Sequence, residues 1–216
     1  MTLARRSFAH PISSAVRRLV DIVVAASLLV LVAPLLAVVM LAIRVVSPGP
    51  SIFVQTREGL GGRPFAMLKL RTLHVDAARI LDLHLAENPG AREEWHRYFR
   101  LTNDPRVIPG IGALLRRSSI DELPQLWNIL RGEMSLVGPR PLQAEPLAAL
   151  RPQYRALRIT VRPGLTGLWQ ISGRSETDLR GLEELDAQYI RRRSLALDLE
   201  ILARTPAVVL SGRGSY

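Results

Sequence analysis

The chain contains no cysteine and a single lysine. Without cysteine there is no disulfide framework and no thiolate metal site. The four histidines, His10, His74, His84 and His96, are scattered and lack the spacing of a zinc pair, so they read as solvated or structural. Internal repeats and low-complexity tracts are absent too. Positive charge is not scarce: 29 basic residues stand against 19 acidic ones, giving a net charge of +10 and a pI near 11.3. Such an excess calls for a polyanionic partner, whether nucleic acid, anionic lipid or a phosphorylated metabolite. Codon bias accounts for arginine replacing lysine in general. A site that needs a compact ammonium would account for Lys69 in particular. At 216 residues the chain is one domain plus an appendage.

Charge is also missing from Ile22 to Ile43, a run of 22 residues. As a helix it is roughly 33 Å long, enough to cross a hydrocarbon core of about 30 Å. Two features speak against a simple crossing. Pro34 lies near the middle, where proline removes a hydrogen bond and bends the axis. Arginines flank both ends (Arg5, Arg6, Arg17 and Arg18 before; Arg44, Arg57 and Arg63 after), and arginine favours the cytoplasmic side. A hairpin that enters and leaves by one face and a spanning helix therefore both stay open, with a buried soluble helix as a third option. Residues 1–20 are basic and mildly amphipathic. No cleavage site follows the apolar run, so this segment reads as retained.

Ser47-Pro48-Gly49-Pro50 ends the helix and begins the globular part. A hairpin is predicted over 51–72 with its turn at 58–62, carrying Lys69 and Arg71 on one side and Phe65 and Met67 inward. Residues 74–100 predict helices broken at Asn88-Pro89-Gly90, with Ala77, Ile80, Leu81 and Leu85 as the inner stripe. Trp95, Tyr98 and Phe99 read as core or membrane-interface residues rather than as a base-stacking platform. A short helix is predicted from Ile111 with Arg116 and Arg117 in its last turn, then a helix over 118–131 stopped by Gly132, and a strand over 134–137. Residues 143–158 are helical with an interruption at Pro152. Residues 161–174 form a glycine-rich strand and turn that brings backbone near a ligand. Ser175 and Asp178 resemble a cap ahead of a helix whose face carries Leu179, Leu182, Leu185 and Tyr189. The tail 195–210 is apolar and broken at Pro206.

The stretch with the most chemistry is Arg116–Pro141, RRSSIDELPQLWNILRGEMSLVGPRP. Asp121 and Glu122 stand at a helix start, with Arg116 and Arg117 before them and Arg140 after. Ser119-Ile120-Asp121-Glu122 fits a capping box, and that alone explains both acids. Helix starts and arginine forks also bind phosphate. A carboxylate beside such a site can attack phosphorus, and its acidic neighbour can hold Mg²⁺ together with substrate phosphates.

These pieces, in this order, resemble the bacterial sugar transferase family of monotopic phosphoglycosyl transferases. The matching elements are the apolar helix with a central proline, KLRT (69–72), DPRV (104–107), the 116–141 stretch, VRPGLTGLWQISGR (161–174), and DAQYI followed by SLALDLEIL (186–190, 194–202). The resemblance implies a mostly helical α+β fold: a basic segment 1–20, a re-entrant membrane helix over 21–46 broken at Pro34, and a cytosolic catalytic domain over 47–216 with interfacial helices. It implies transfer of a sugar-1-phosphate from a UDP-sugar to polyprenyl (undecaprenyl) phosphate at the cytoplasmic face of the bacterial inner membrane, with release of UMP. Asp121 would be the nucleophile and Glu122 its catalytic neighbour, both as Mg²⁺ ligands. Lys69, Arg71, Arg116, Arg140, Arg162 and Arg174 would contact the substrate. An anionic bilayer is an expected partner, a homodimer is left open, and nucleic acid is not expected. The family's break is often Ser-Pro; here it is Ala33-Pro34. The alternative is a non-catalytic membrane adaptor whose arginines bind anionic lipid or nucleic acid.

Overall fold

The uncharged run forms the middle of one long helix. In a computed structural model describing residues 11–99, 101–172 and 178–211, helix α1 runs from Pro11 to Val46. The helix continues through Pro34, so the expected break is not an interruption of secondary structure. Proline inside a continuous helix removes one backbone bond and bends the axis. Ala33 and Pro34 both lie on the exposed side.

One stripe of α1 is packed along its length. Arg17, Asp21, Ala25, Leu36 and Ile43 are buried at helical spacing, with Leu29 and Val32 between them partly buried. The remaining surface is exposed and apolar, including Val23, Val30, Leu31, Val38, Leu41 and Val45. From Arg17 to Ile43 the stripe spans about 40 Å. A contiguous apolar surface of that length is suited to lipid rather than water. Both ends of the stripe touch the same body. Near its start, Arg17 donates to Asp198 at 2.7 Å, Arg18 donates to the carbonyls of Ile129 and Leu130 at 2.6 and 2.9 Å, and Asp21 accepts from the Ser135 hydroxyl and the Leu136 amide. Near its end, the Ser51 hydroxyl donates to the Met40 carbonyl at 2.7 Å, and Ile43 packs with Leu70 and Leu115. An anchor with its domain beyond the far end would touch that domain at one end only.

The hairpin forms as its alternation predicts. Strands β1 (Ile52–Glu58) and β2 (Pro64–Leu70) pair antiparallel, with Arg57 opposite Phe65 and Gln55 opposite Met67. The turn contains Gly61 and Gly62 at φ 67° and 75°, the left-handed region that glycine enters without a Cβ penalty. Helices α2 (Ala77–Glu87) and α3 (Pro89–Tyr98) meet at Asn88, and Pro89 opens α3, where its missing N–H costs no helix bond. The Ala77, Ile80, Leu81 and Leu85 stripe faces inward but is only half-buried. Then come α4 (Ile111–Ser118), α5 (Gln125–Leu130) and β3 (Ser135–Val137). Gly132, at φ 80°, ends α5 as expected. The chain continues through α6 (Ala144–Ala148), α7 (Pro152–Arg158), β4 (Gly164–Thr166), α8 (Leu168–Ile171), α9 (Leu179–Arg192) and α10 (Leu195–Ser211). Asp178 caps α9 by accepting from the Gly181 amide at 2.9 Å, while Ser175 lies outside the described residues. Pro206 does not break α10, which passes through it.

Two contacts fix α5 relative to the rest. Asn128 is fully buried; its side chain accepts from the Leu68 amide and donates to the Ala66 carbonyl, serving β2 as a strand partner would. Arg18 satisfies the last carbonyls of α5 from the other side. Gly164 and Gly167 have a task inside the fold. Strands β3 and β4 pair parallel, and a Cβ on Gly164 would lie 2.0 Å from the Gly138 nitrogen, and one on Gly167 2.2 Å from the Gly138 oxygen. They bring backbone against the Gly138-Pro139-Arg140-Pro141 turn. Gly164→Ala is therefore expected to cost on the order of 3 kcal/mol and lower the thermal midpoint by roughly 6–12 °C in a melting experiment. An unchanged midpoint would show that this backbone contact is not tight.

Candidate active site

The acid pair does not sit at the start of a long helix. Helix α4 ends at Ser118, and Ser119 adopts φ 56°, ψ 17°, a left-handed conformation that reverses the chain. A one-turn 3-10 helix, Ile120–Glu122, follows, and α5 begins only after Pro124. The capping box does not form: Ser119 serves as the C-cap of α4 and its side chain caps nothing. Proline at 124 lacks the N–H that a continuous helix would use. A non-glycine residue in this region carries a cost of about 1–3 kcal/mol. The reversal turns two adjacent carboxylates inward, where both are buried.

A buried carboxylate needs partners. Glu122 has them: Oε1 accepts from Lys69 Nζ at 3.0 Å and from Arg140 at 2.5 Å, and Oε2 from Arg140 at 3.4 Å. Burial alone would raise its pKa, but the charges of Arg140 and Lys69 outweigh it and hold the carboxyl well below the usual range. Arg140 is raised in return, chiefly by Glu122. Asp121 is different. Among the described residues no hydrogen bond or ion pair reaches its carboxylate. Burial pushes it up to about 6; Lys69 opposes that and the charge of Glu122 adds to it. One acid is thus clamped and ionised, while its neighbour is free and more basic than an ordinary aspartate.

Both acids line a cavity of about 340 Å³ together with Lys69, Arg116 and Arg140. Arg140 is held from behind: buried Arg158 donates to its backbone carbonyl and pairs with Asp186 of α9. The 104–107 turn forms another wall. Asp104 accepts from Arg106 through both oxygens at 2.7 Å and lies 3.6 Å from Arg116. Arg106 stacks over Trp95 at 5.0 Å.

The structure therefore gathers five of the expected site residues, Asp121, Glu122, Lys69, Arg116 and Arg140. Arg71 is elsewhere: it donates to the carbonyls of Ser47 and Pro48 and ties the end of α1 to β2, because its strand has ended and the chain turns away. Arg162 does not line the cavity either; it donates to the Gly132 carbonyl at 2.8 Å. Arg174 lies outside the described residues. Three features escaped the sequence reading. Trp95, Tyr98 and Phe99 line the cavity as an aromatic wall, although Trp95 is also buried as expected. Asp104 and Arg106 form a clamp, for which the DPRV spacing was the signal. Arg57 lines the cavity from β1, and burial, then the neighbouring Arg140, holds its pKa down at about 10.

Among the described residues no three His, Cys, Asp or Glu side chains converge as a metal cluster. The oxygens of Glu122 are taken by Lys69 and Arg140, whereas Asp121 is available. Mg²⁺ is often bound through one carboxylate plus substrate phosphates. This donor set fits an ion that arrives with a phosphorylated substrate and touches Asp121, rather than one held by the two acids together.

The sequence has counterparts. The family model for bacterial sugar transferases matches residues 12–212. The chain is 42% identical over 208 residues to the exopolysaccharide production protein ExoY of Rhizobium meliloti, covering 96% of this chain and 91% of that protein. It is 42% identical over 208 residues to a UDP-glucose:undecaprenyl-phosphate glucose-1-phosphate transferase of Caulobacter vibrioides, covering 93% of this chain and 72% of that one. It is 38% identical over 215 residues to an undecaprenyl-phosphate galactose phosphotransferase of Salmonella typhimurium. There it covers 99% of this chain but 43% of the relative, so the chain spans less than half the length of some curated relatives and nine-tenths of others.

Proposed function

The chain belongs to the bacterial sugar transferase family, and from that premise we propose that it is an undecaprenyl-phosphate sugar-1-phosphate transferase acting from a UDP-sugar in exopolysaccharide or capsule synthesis. The observation that carries the mechanism is the Asp121 carboxylate: buried, without a hydrogen-bond partner, and facing a cavity with Lys69, Arg116 and Arg140. An Asp121 oxygen attacks the phosphorus that bears the sugar. The bond from that phosphorus to the bridging oxygen breaks, and UMP leaves with that oxygen. The aspartyl phosphosugar is then attacked at the same phosphorus by an oxygen of the lipid phosphate, which frees Asp121 and leaves a lipid diphosphate bearing the sugar.

Lys69 and Arg140 hold positive charge where phosphate oxygens gather. Glu122 keeps both cations in place and, by its own charge, keeps Asp121 basic. Bound with the substrate's phosphates, Mg²⁺ would offset the repulsion between a carboxylate and a diphosphate. Helix α1, packed on the catalytic body near both ends and apolar on its outer face, supports an anchor that enters and leaves one membrane face, with the cavity at the cytoplasmic surface. An adaptor without catalysis has no use for a free buried carboxylate inside a cage of cations.

The test is UMP release from a panel of UDP-sugars by detergent-solubilised protein with Mg²⁺. With polyprenyl phosphate present, turnover is expected with at least one sugar. With the acceptor left out, release is expected to stop near one equivalent per protein. No UMP from any sugar would overturn the reaction, and steady release without acceptor would overturn the covalent intermediate.

A further inference from the structure

Behind the Glu122–Arg140 pair stands a cation with no carboxylate of its own. Arg57 is 6% exposed, and it lies on the hairpin face that carries Met67 and Lys69. Its side chain lines the cavity. One terminal nitrogen donates to Gln55 on the same strand. Among the described residues the Nε and the other terminal nitrogen have no hydrogen-bond partner. Burying unpartnered donors, above all on a charged group, is costly, and proteins rarely leave them so. The carboxylate whose charge acts on it, Glu122, is already filled by Lys69 and Arg140.

Charge around the cavity points the same way. Arg57, Lys69, Arg97, Arg106, Arg116 and Arg140 line it against Asp104, Asp121, Glu122 and Asp178. Among the described residues six cations face four carboxylates. Asp104 is taken by Arg106 and Arg116, and Glu122 by Lys69 and Arg140. Resting on the reading under Proposed function, we propose that Arg57 is a ligand for the substrate phosphate that comes against Asp121. The unpartnered nitrogens are closed to solvent in the ligand-free arrangement, so the guanidinium turns from Gln55 into the cavity as the anion arrives. The site carries an uncompensated charge until its phosphate supplies the balance.

Two substrates bring that chemistry, the diphosphate of the nucleotide sugar and the phosphate of the lipid. The experiment compares wild type, Arg57→Gln and Arg57→Lys. UDP affinity with Mg²⁺ is measured by calorimetry, transfer from the preformed phosphosugar enzyme to polyprenyl phosphate by rapid quench, and the ligand-free thermal midpoint by melting. Arg57→Gln is expected to weaken UDP binding about tenfold or more while raising the ligand-free midpoint by a few degrees. Arg57→Lys is expected to recover most of the affinity. Slower transfer to the lipid with UDP affinity unchanged also supports the proposal and assigns Arg57 to the lipid phosphate. A Gln variant that binds UDP and transfers to lipid as wild type does overturns it. So does a loss of stability in both variants with affinity intact, the signature of a purely structural arginine. UDP affinity is readable whether or not a sugar is transferred. A wild type that binds UDP yet releases no UMP from any UDP-sugar therefore counts against the proposed reaction and not against Arg57.

Discussion

Asp121→Asn is expected to abolish turnover and, at pH 7.5, to make the protein more stable. The first effect follows from removing the attacking oxygen; a residual rate within tenfold of wild type would sink the assignment. The second follows from burial. The ordinary aspartate value is 3.8, and in the folded chain burial, with the charge of Glu122 adding to it and Lys69 opposing it, brings Asp121 to about 6. A carboxyl whose folded pKa is raised favours the folded state when protonated and opposes it when ionised. Well below pH 4 the aspartate is protonated in both states and the variant gains nothing. As pH rises from about 4 to 6 the wild type takes on the cost of ionising inside the fold, and above 6 that cost is complete. Asparagine never takes it on. The gain is on the order of 1–3 kcal/mol. Thermal midpoints at pH 5, 6 and 7.5 should therefore diverge as pH rises. A variant less stable at pH 7.5 would mean that the surrounding cations make the ionised aspartate a net stabiliser. In wild type, kcat/KM should rise with pH through about 6, since only the carboxylate attacks.

Glu122→Gln is expected to do the reverse to stability. Its folded pKa is depressed, so its contribution is present above the ordinary value of 4.5 and is lost as pH falls through the folded one. Removing the charge leaves Lys69 and Arg140 facing each other in a largely buried site without their shared partner. Breaking a buried pair in this way costs about 3–5 kcal/mol. Turnover should fall by at least a hundredfold, because the two cations lose the anchor that aims them. The acid limb of the pH profile should move to lower pH, because Asp121 loses a like charge and keeps Lys69 and Arg140 beside it. A variant as stable as wild type at neutral pH, or one whose acid limb stays in place, would show that Glu122 does not set the electrostatics of the site.

Local punctuation made much of this fold legible. Gly61 and Gly62 mark the hairpin turn, Pro89 and Pro152 open helices, and Gly132 closes α5, each through a backbone preference that acts within a few residues. The inner face of α9 was legible from its helical period, and α1 as a helix from its uncharged run, but which side of α1 packs was not. What failed depended on the chain's path. Ser119 fits a capping box by spacing, but the helix ahead of it runs to Ser118, and the reversal there is a choice of the whole packing. Arg71 has the same strand parity as Lys69, yet one more step carries it past the end of the sheet to the carbonyls of Ser47 and Pro48. The glycines near 164 announce a close approach without naming the partner, which proved to be backbone. Arg57 is far from Asp121 in sequence. Its signal was the hairpin itself: counting back across the turn places it on the face of Lys69, opposite Phe65.

The Arg17–Asp198 pair joins residues 181 positions apart. Arg17 leaves the ribosome well before the acid that receives it. At about 5–20 residues per second that separation is roughly 9–36 s of synthesis. For that interval α1 can settle into a bilayer while the guanidinium at its head still lacks its final counter-charge. Tyr189 then reaches the same carboxylate from α9 at 2.9 Å. Helix α10 thus works as a clasp between α1 and the catalytic body, one that closes only after both have been made.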